Sequence, residues 1–398
     1  MIRTIDECFW GIQNGANIKQ SKSSGGFPIT RIETIADNKF NRDRVGYAGI
    51  TDVSSYESYI LEDEDLLMSH INSAKYLGRT VLYNRRANEV IIHGMNLLRL
   101  RANKEIINPS YAKYLFSGCK FKKQVSRITK KSVNQASFTV GDLKKIKISV
   151  PSILEQVQIV EKLDKIAWII ELRQAEIKKA EEIIKARFVE LFGDPYFNPY
   201  KWKKLKIADA VTVEPQNGLY KPQTDYIIDG TGIPILRIDC FYNGEVADWG
   251  MLKRLRCTEK DIKRYQLNDD DIVINRVNSI EYLGKCAHIT GMKEKTVFES
   301  NMMRMHFDKS RFNPIYITKL LCTQYIHDQI IKHAKKAVNQ ASINQHDVMD
   351  FDIYLPPLNM QQEYANFVRQ IAKSKAVIEK SLKELETLQA SLMQKYFS

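Results

Sequence analysis

The chain has 398 residues, 44% of them apolar, with a formal charge of +13 and a pI near 9.2. That length allows two to four domains, and the apolar share supports buried cores, which excludes a disordered tail. The positive excess favours a polyanion, nucleic acid first and an acidic membrane surface second, with plain solubility as the undemanding alternative.

The stretch from Met1 to Cys8 lacks the apolar core of a secretion signal, and no apolar run reaches the length of a membrane span. Cys8, Cys119, Cys240, Cys257, Cys286 and Cys322 are scattered without a Cys-x-x-Cys pair. Reduced thiols in a cytoplasmic protein are the expectation.

The first segment, of about 150 residues, is mixed in pattern. Short β-like runs such as Glu89-Val90-Ile91-Ile92-His93 are broken by Gly, Asn and Asp turns. Asn108-Pro109-Ser110-Tyr111 reads as a helix start, with proline near the first turn. Between Ile106 and Gly141 there is no acidic residue, while Lys113, Lys120, Lys122, Lys123, Arg127, Lys130 and Lys131 accumulate. A one-signed stretch of this kind suits a phosphate backbone.

A long helix is predicted after Pro151. Ser152 with Glu155 three residues on is a capping-box pattern. Leu163, Ile170, Ile177, Ile184 and Leu191 then recur every seven residues, flanked by Ile159, Ile166 and Ala180, as a coiled-coil stripe. Gly193-Asp194-Pro195 marks its end. Some 38 residues of helix would span roughly 57 Å. A second mixed segment follows, with the run Asp271-Ile272-Val273-Ile274-Asn275 and a helix start at Asn313-Pro314-Ile315-Tyr316. A second long helix is predicted from Pro356-Pro357-Leu358, with Asn359 as candidate N-cap and Ile371, Ile378, Leu385 and Leu392 as its stripe, joined by Leu382 and Tyr396. Each stripe needs a partner, and the other helix, packed antiparallel, is the natural one.

The two halves repeat. Ser132-Val133-Asn134-Gln135-Ala136-Ser137 returns as Ala337-Val338-Asn339-Gln340-Ala341-Ser342, and Asp142, Pro151 and Gln156 return as Asp347, Pro356 and Gln361. Asn72-Ser73-Ala74-Lys75-Tyr76-Leu77-Gly78-Arg79 matches Asn278-Ser279-Ile280-Glu281-Tyr282-Leu283-Gly284-Lys285, Phe27 to Ile32 matches Ile233 to Ile238, and Gln13-Asn14-Gly15 matches Gln216-Asn217-Gly218. A colinear set at offsets of 203 to 206 marks a domain-plus-helix unit written twice, related by an approximate two-fold suited to a double-stranded ligand.

With these motifs the chain resembles the specificity subunit of type I restriction–modification systems over nearly its whole length. Asp63-Glu64-Asp65-Leu66-Leu67 and Asp269-Asp270-Asp271-Ile272-Val273, each followed by Gly78 or Gly284, resemble that family's Gly-Asp-Ile-Leu … Gly core strand. Pro151-Ser152-Ile153-Leu154-Glu155-Gln156 and Pro356-Pro357-Leu358-Asn359-Met360-Gln361 resemble its Pro-Pro-Leu-x-Glu-Gln helix start, with Ser152 in place of the second proline and Met360 in place of the glutamate. The resemblance implies an α/β (α+β) architecture: two similar target-recognition domains, residues 1–150 and 194–355, alternating with helical spacers, residues 151–193 and 356–398. It implies a non-catalytic reader of a bipartite double-stranded DNA target, with one domain on each half. It also implies two methyltransferase subunits and restriction/translocase subunits as partners. No cofactor is expected in this chain; S-adenosylmethionine, ATP and Mg belong to the partners.

The rival readings are a self-sufficient DNA methyltransferase or nuclease, and a structural coiled-coil protein. The Asn-Pro-x-Tyr segments echo the Asn-Pro-Pro-Tyr loop that holds a flipped adenine. Both lack the second proline, and no glycine-rich cofactor loop follows a strand upstream. Gly25-Gly26 lacks the ending of an ATP-binding loop. Cys322, His327 and His333 lack a second cysteine at zinc spacing, and Asp269-Asp270-Asp271 reads as a turn before a strand as readily as a metal site. No catalytic residue and no metal ligand is therefore assigned.

For DNA contact the sequence nominates loop residues able to pair with bases or phosphates. In the first copy these are Lys19, Lys22, Arg31, Arg42, Arg44, Lys75 and Arg79. In the second they are Lys221, Gln223, Arg237, Lys253, Arg254, Arg276, Asn278 and Lys285. For any single one, a solvated surface charge is an equal alternative. Lys122, Lys123, Lys130, Lys131, Lys335 and Lys336 are nominated for phosphates. Asn134-Gln135 and Asn339-Gln340, shared by domains that read different bases, point to structural or phosphate-facing roles. On a helical projection Val157, Trp168, Leu172 and Ile183 lie opposite the heptad stripe. They are nominated as a seat for the methyltransferase subunit, against the alternative that this side packs on a recognition domain.

Overall fold

The computed structural model describes residues 1–20, 25–132, 135–338 and 340–398. They form two compact units, Met1–Ala175 with Glu379–Ser398, and Glu176–Ile378. Both are built on the same plan.

In the first unit a four-stranded antiparallel sheet runs in the order Phe9–Asn14, Leu97–Ala102, Leu66–Ser69, Thr80–Leu82. In the second the order is Val211–Asn217, Met302–Phe307, Ile272–Asn275, Cys286–His288. The central strands Leu66–Ser69 and Ile272–Asn275 are buried along their whole length. That is why the sequence shows them as continuous apolar runs rather than alternating ones. The acidic residue before each strand closes the turn into it. Asp65 accepts from the Glu62 amide and takes both arms of Arg101 at 2.9 and 3.0 Å. Asp271 accepts from the Asn268 amide and meets His306 and Arg304. Asp270 and Asp271 of the Asp269–Asp271 cluster are thus held by protein side chains, with Asp270 hydrogen-bonded to His288 and paired with Lys309.

The two long helices run Ile153–Phe192 and Leu358–Phe397. The first opens on the expected capping box: Ser152 and Glu155 exchange hydrogen bonds, with Ser152 N–H and Oγ–H donating to the carboxylate at 2.9 and 2.7 Å. It stops at Gly193, which sits at φ +77°. The second begins at Leu358, two residues earlier than an Asn359 cap would place it. Asn359 lies inside the first turn and is not its cap; the Pro357 carbonyl instead accepts from the Met360 and Gln361 amides. Within the second unit, Arg187 pairs with Glu363, Glu181 with Lys375, and Tyr364 Oη donates to the Ile184 carbonyl. Within the first, Leu392, Met393 and Tyr396 pack on the core that holds Val160 and Leu163. Rising numbers on one helix meet falling numbers on the other, so the packing is antiparallel.

Both Asn-Pro-x-Tyr segments are helix starts, with Pro109 and Pro314 in the first turn. Asn108 and Asn313 cap them by accepting from the Tyr111 and Ile315 amides, both at 3.0 Å. The tyrosines are core residues: Tyr111 Oη donates to the Ser149 carbonyl and Tyr316 Oη to the Tyr354 carbonyl. One buried glutamine fastens each junction. Gln156 accepts from the Asn108 amide and donates to the Ile106 and Pro151 carbonyls. Gln361 does the same with Asn313, Arg311 and Pro356.

The run Glu89–His93 is not a regular strand. Ile92 makes only isolated bridges to Ile29 and Ile60, because those neighbours are too short to extend a ladder. Its buried end carries an acid-sensitive group. His93 is fully buried with Nε2 3.0 Å from the Leu97 carbonyl, and burial pushes its pKa down to about 3. The unfolded chain gains a proton below its ordinary value while the folded imidazole stays neutral. The first unit therefore loses stability as pH falls from 6.5 towards 3, by about 2 kcal/mol at pH 5 from this residue. His93→Gln keeps a donor and removes the titration. Its melting temperature should fall less between pH 7 and pH 5 than that of the parent chain, and an equal fall would assign the acid sensitivity elsewhere.

The units differ outside the shared plan. The second carries a further four-stranded sheet ordered Tyr226–Ile227, Lys253–Leu255, Ile233–Leu236, Val297–Phe298, and a hairpin Phe241–Tyr242 with Glu245–Val246. In the first, the corresponding stretch holds the short pair Pro28–Ile29 with Gly46–Tyr47, beside the isolated bridges of Ile29 and Ile60 to Ile92.

Candidate nucleic-acid interface

Beside the main sheet each unit has a small three-stranded sheet, and it unites two groups that the sequence nominated separately. In the first unit Ala136–Ser137 lies between Lys130–Lys131 and Ile71–Asn72, with Ala136 opposite both Lys131 and Asn72. In the second unit Ala341 is likewise opposite Lys336 and Asn278. Lys130, Lys131, Lys335 and Lys336 are exposed on their strands. Lys122 and Lys123 are exposed on the helix Cys119–Ile128, which buries Phe121 and Val125. Among the described residues none of these six lysines is paired with a carboxylate. Uncompensated exposed ammonium groups on a short edge strand suit phosphate contact and also discourage strand-to-strand aggregation. Val338, between Lys336 and Ala341, is fully exposed; sequence reasoning passed over it. Asn134 and Asn339 lie outside the described residues, as does Lys22.

The turn that leaves the edge strand is the same in both units. Asn72 and Asn278 accept from the next amide, of Ser73 and Ser279, at 2.7 and 2.8 Å. The Gly78 and Gly284 amides bond back to the Ser69 and Asn275 carbonyls. These glycines sit at φ +75° and +76°, and a Cβ on Gly284 would meet Ile330 Cδ1 at 2.0 Å, so only glycine fits there. The next residue is a cation laid on tyrosine. The Arg79 guanidinium is 4.4 Å from the Tyr76 ring centroid and also donates to the Ala36 carbonyl. Lys285 Nζ is 3.8 Å from Tyr242 and 5.5 Å from Tyr282. Burial holds the Lys285 ammonium below its ordinary pKa. Tyr76 and Tyr282 were in the repeat motif but carried no charge signal, and so were missed; Tyr242 lies outside that motif, on the Phe241–Tyr242 strand, where nothing in the sequence pointed to it.

Other nominated cations have partners inside the fold. Arg42 pairs with Glu89, donates to the Asn84 carbonyl and lies over Phe40 and Tyr83. It holds the Glu89 carboxyl down to about 2. Arg31 meets Glu33, Arg44 meets Asp37, Lys221 meets Asp261, and Arg254 meets Glu294. Arg237 reaches Tyr226 and Asp239, and Arg276 donates to the Ser300 carbonyl. Lys19, Lys75, Gln223 and Lys253 are exposed; Lys75 lies over Tyr76. In the first unit Arg31 and Arg79, with Gln20, Asn72, Tyr76 and Asn96, line an open cleft of about 630 Å³.

On the first long helix Trp168 is 61% exposed and Leu172 42%, whereas Val157 is half-buried. Ile183, in the second unit, is 41% exposed. Leu154, two heptads before Trp168, is exposed as well. Among the described residues no group of three metal-ligating side chains is present, and no helix is long and apolar enough to cross a membrane.

The type I restriction modification DNA specificity domain model matches the chain twice, over residues 3–182 and 199–387. The putative type I restriction enzyme MjaX specificity subunit of Methanocaldococcus jannaschii is 30% identical, over 97% of this chain and 92% of its own length. The EcoKI specificity subunit of Escherichia coli is 24% identical over 93% of this chain and 81% of its own. The S subunit of a type I restriction–modification system from M. genitalium superposes with a TM-score of 0.61 at 13% identity, covering 100% of this chain and 96% of that one. A chain from a study of complex assembly and conformational transition in the type I system gives 0.54 at 16% identity, covering 100% and 97%. The twofold match across nearly the whole chain places it in the type I restriction–modification specificity-subunit family, as a non-catalytic subunit whose two domains serve a bipartite target.

Proposed function

We propose that residues 1–150 and 194–355 each grip one half of a double-stranded DNA site, joined by helical spacers at residues 151–193 and 356–398. One observation carries this reading: the same exposed lysine strand, edge strand and turn with a cation over its own tyrosine, Arg79 on Tyr76 and Lys285 on Tyr282, recur in both units. Lys122, Lys123, Lys130, Lys131, Lys335 and Lys336, unpaired with a carboxylate among the described residues, take phosphates. Lys19, Lys75, Gln223, Lys253 and Asn278 add contacts at the rim, and Lys22 is proposed for DNA contact on its sequence alone. Arg31, Arg42, Arg44, Lys221, Arg237, Arg254 and Arg276 position the loops, and reach DNA with the donors their partners leave free. Two methyltransferase subunits seat on the long helices, with Trp168 and Leu172 as anchors, supported by Val157 and Ile183. Restriction/translocase subunits join that assembly in the cytoplasm, and S-adenosylmethionine, ATP and Mg act on those partners.

Replacing residues 1–130 with the same region of a related specificity subunit tests the modular reading. Methylome sequencing should then show one half of the methylated motif changed and the other retained. A change in both halves would contradict it.

A further inference from the structure

We propose that the residue after the left-handed glycine of the recurring turn reads a base edge in each domain: Arg79 a guanine in one half-site, and Lys285 an acceptor edge in the other. This rests on the DNA-reading function above and narrows it to one position per unit.

The turn is a shared scaffold with one variable element. From Asn72 to Gly78 and from Asn278 to Gly284 the two copies keep the Asn cap, the serine, the tyrosine, the leucine and the glycine, and the hydrogen bonds match. A part common to domains that read different sequences cannot itself discriminate. The cation it presents does differ, arginine in one copy and lysine in the other. Arg offers a planar fork and Lys a single point, so the same scaffold projects two different readers.

Position favours bases over phosphates. The turn begins two strands away from Lys131, about 10 Å across the small sheet. A major groove is about 12 Å wide. With the lysine strand on a backbone, the turn therefore faces the groove. Arg79 is half-buried at the wall of the cleft rather than on an exposed ridge, and Lys285 is half-buried among Tyr242, Phe241 and Tyr282. Orientation agrees. Tyr76 below and the Ala36 carbonyl at one edge fix the guanidinium, and among the described residues one of its five N–H groups is used. Those left suffice for paired bonds to O6 and N7 of guanine, the commonest specific contact of this side chain. Among the described residues no carboxylate is paired with either cation, unlike Arg31, Arg42, Arg44, Lys221 and Arg254.

The test uses the full chain co-expressed with its methyltransferase subunit, in the parent form and as R79A, R79K and K285A. Methylome sequencing reads the motif, and anisotropy titrations on random duplex read the salt slope. R79A should relax one G·C position of one half-site, losing about tenfold to a hundredfold in discrimination. The other half and the salt slope should stay unchanged. K285A should relax a position in the opposite half. If R79A does not fold, R79K keeps the charge on Tyr76 and should relax the same position. A retained motif in the R79 variants overturns the proposal, as does a salt slope lowered by about 1 with the motif intact, the mark of a phosphate contact. Relaxation at an A·T position overturns the guanine assignment. If the parent complex methylates no defined motif, the DNA-reading function fails instead.

Discussion

Changing Lys122, Lys123, Lys130 and Lys131 together to alanine should weaken binding to every duplex by about 10²–10³-fold near physiological salt, because each phosphate contact releases condensed counterions. The slope of log K against log salt should flatten by about 3.6, at about 0.9 for each of the four contacts. The basis is local: all four side chains are exposed on neighbouring elements, and none is paired with a carboxylate among the described residues. The methylated motif of any residual activity should not change, since these residues carry no base information. Anisotropy titrations at several salt concentrations measure both quantities, and an unchanged slope would remove this patch from the interface.

Gln361→Leu should destabilise the second unit by about 3–5 kcal/mol. It strands the Asn313 amide and the Arg311 and Pro356 carbonyls in a buried junction, at about 1–3 kcal/mol for each orphaned group. In a unit of this size that lowers the melting temperature by about 10 °C. Gln156→Leu should do the same to the first unit, since its three bonds are equivalent. Thermal unfolding followed by circular dichroism reads the effect. A loss under about 1 kcal/mol would mean that other groups take up these three partners.

The repeat made the plan of this protein legible before any coordinates. Continuous apolar strands, capped helices and the antiparallel helix pair all follow from short-range pattern, because burial on both faces and heptad spacing write themselves into neighbouring residues. That Lys122, Lys123, Lys130 and Lys131 are exposed and unpaired with a carboxylate among the described residues was legible for a related reason: the run around them holds no acidic residue. The arginines were not. Arg42 meets Glu89 and Arg254 meets Glu294 across 47 and 40 residues, a pairing that only the tertiary fold creates. The extra sheet of the second unit escaped too, because strands of two to four residues such as Tyr226–Ile227 carry almost no periodicity. Gln156 and Gln361 were visible as repeated letters, but their role as fasteners of the helix starts depends on contacts about 50 residues away.

This chain reads DNA and leaves the chemistry to a partner. Methyl transfer from labelled S-adenosylmethionine to duplex DNA tests it most directly, with the purified chain alone, the purified methyltransferase subunit alone, and the two combined. Label should enter DNA only in the combination, and only at one bipartite motif. Transfer by the chain alone, or by the methyltransferase subunit at the same motif without this chain, would contradict the account.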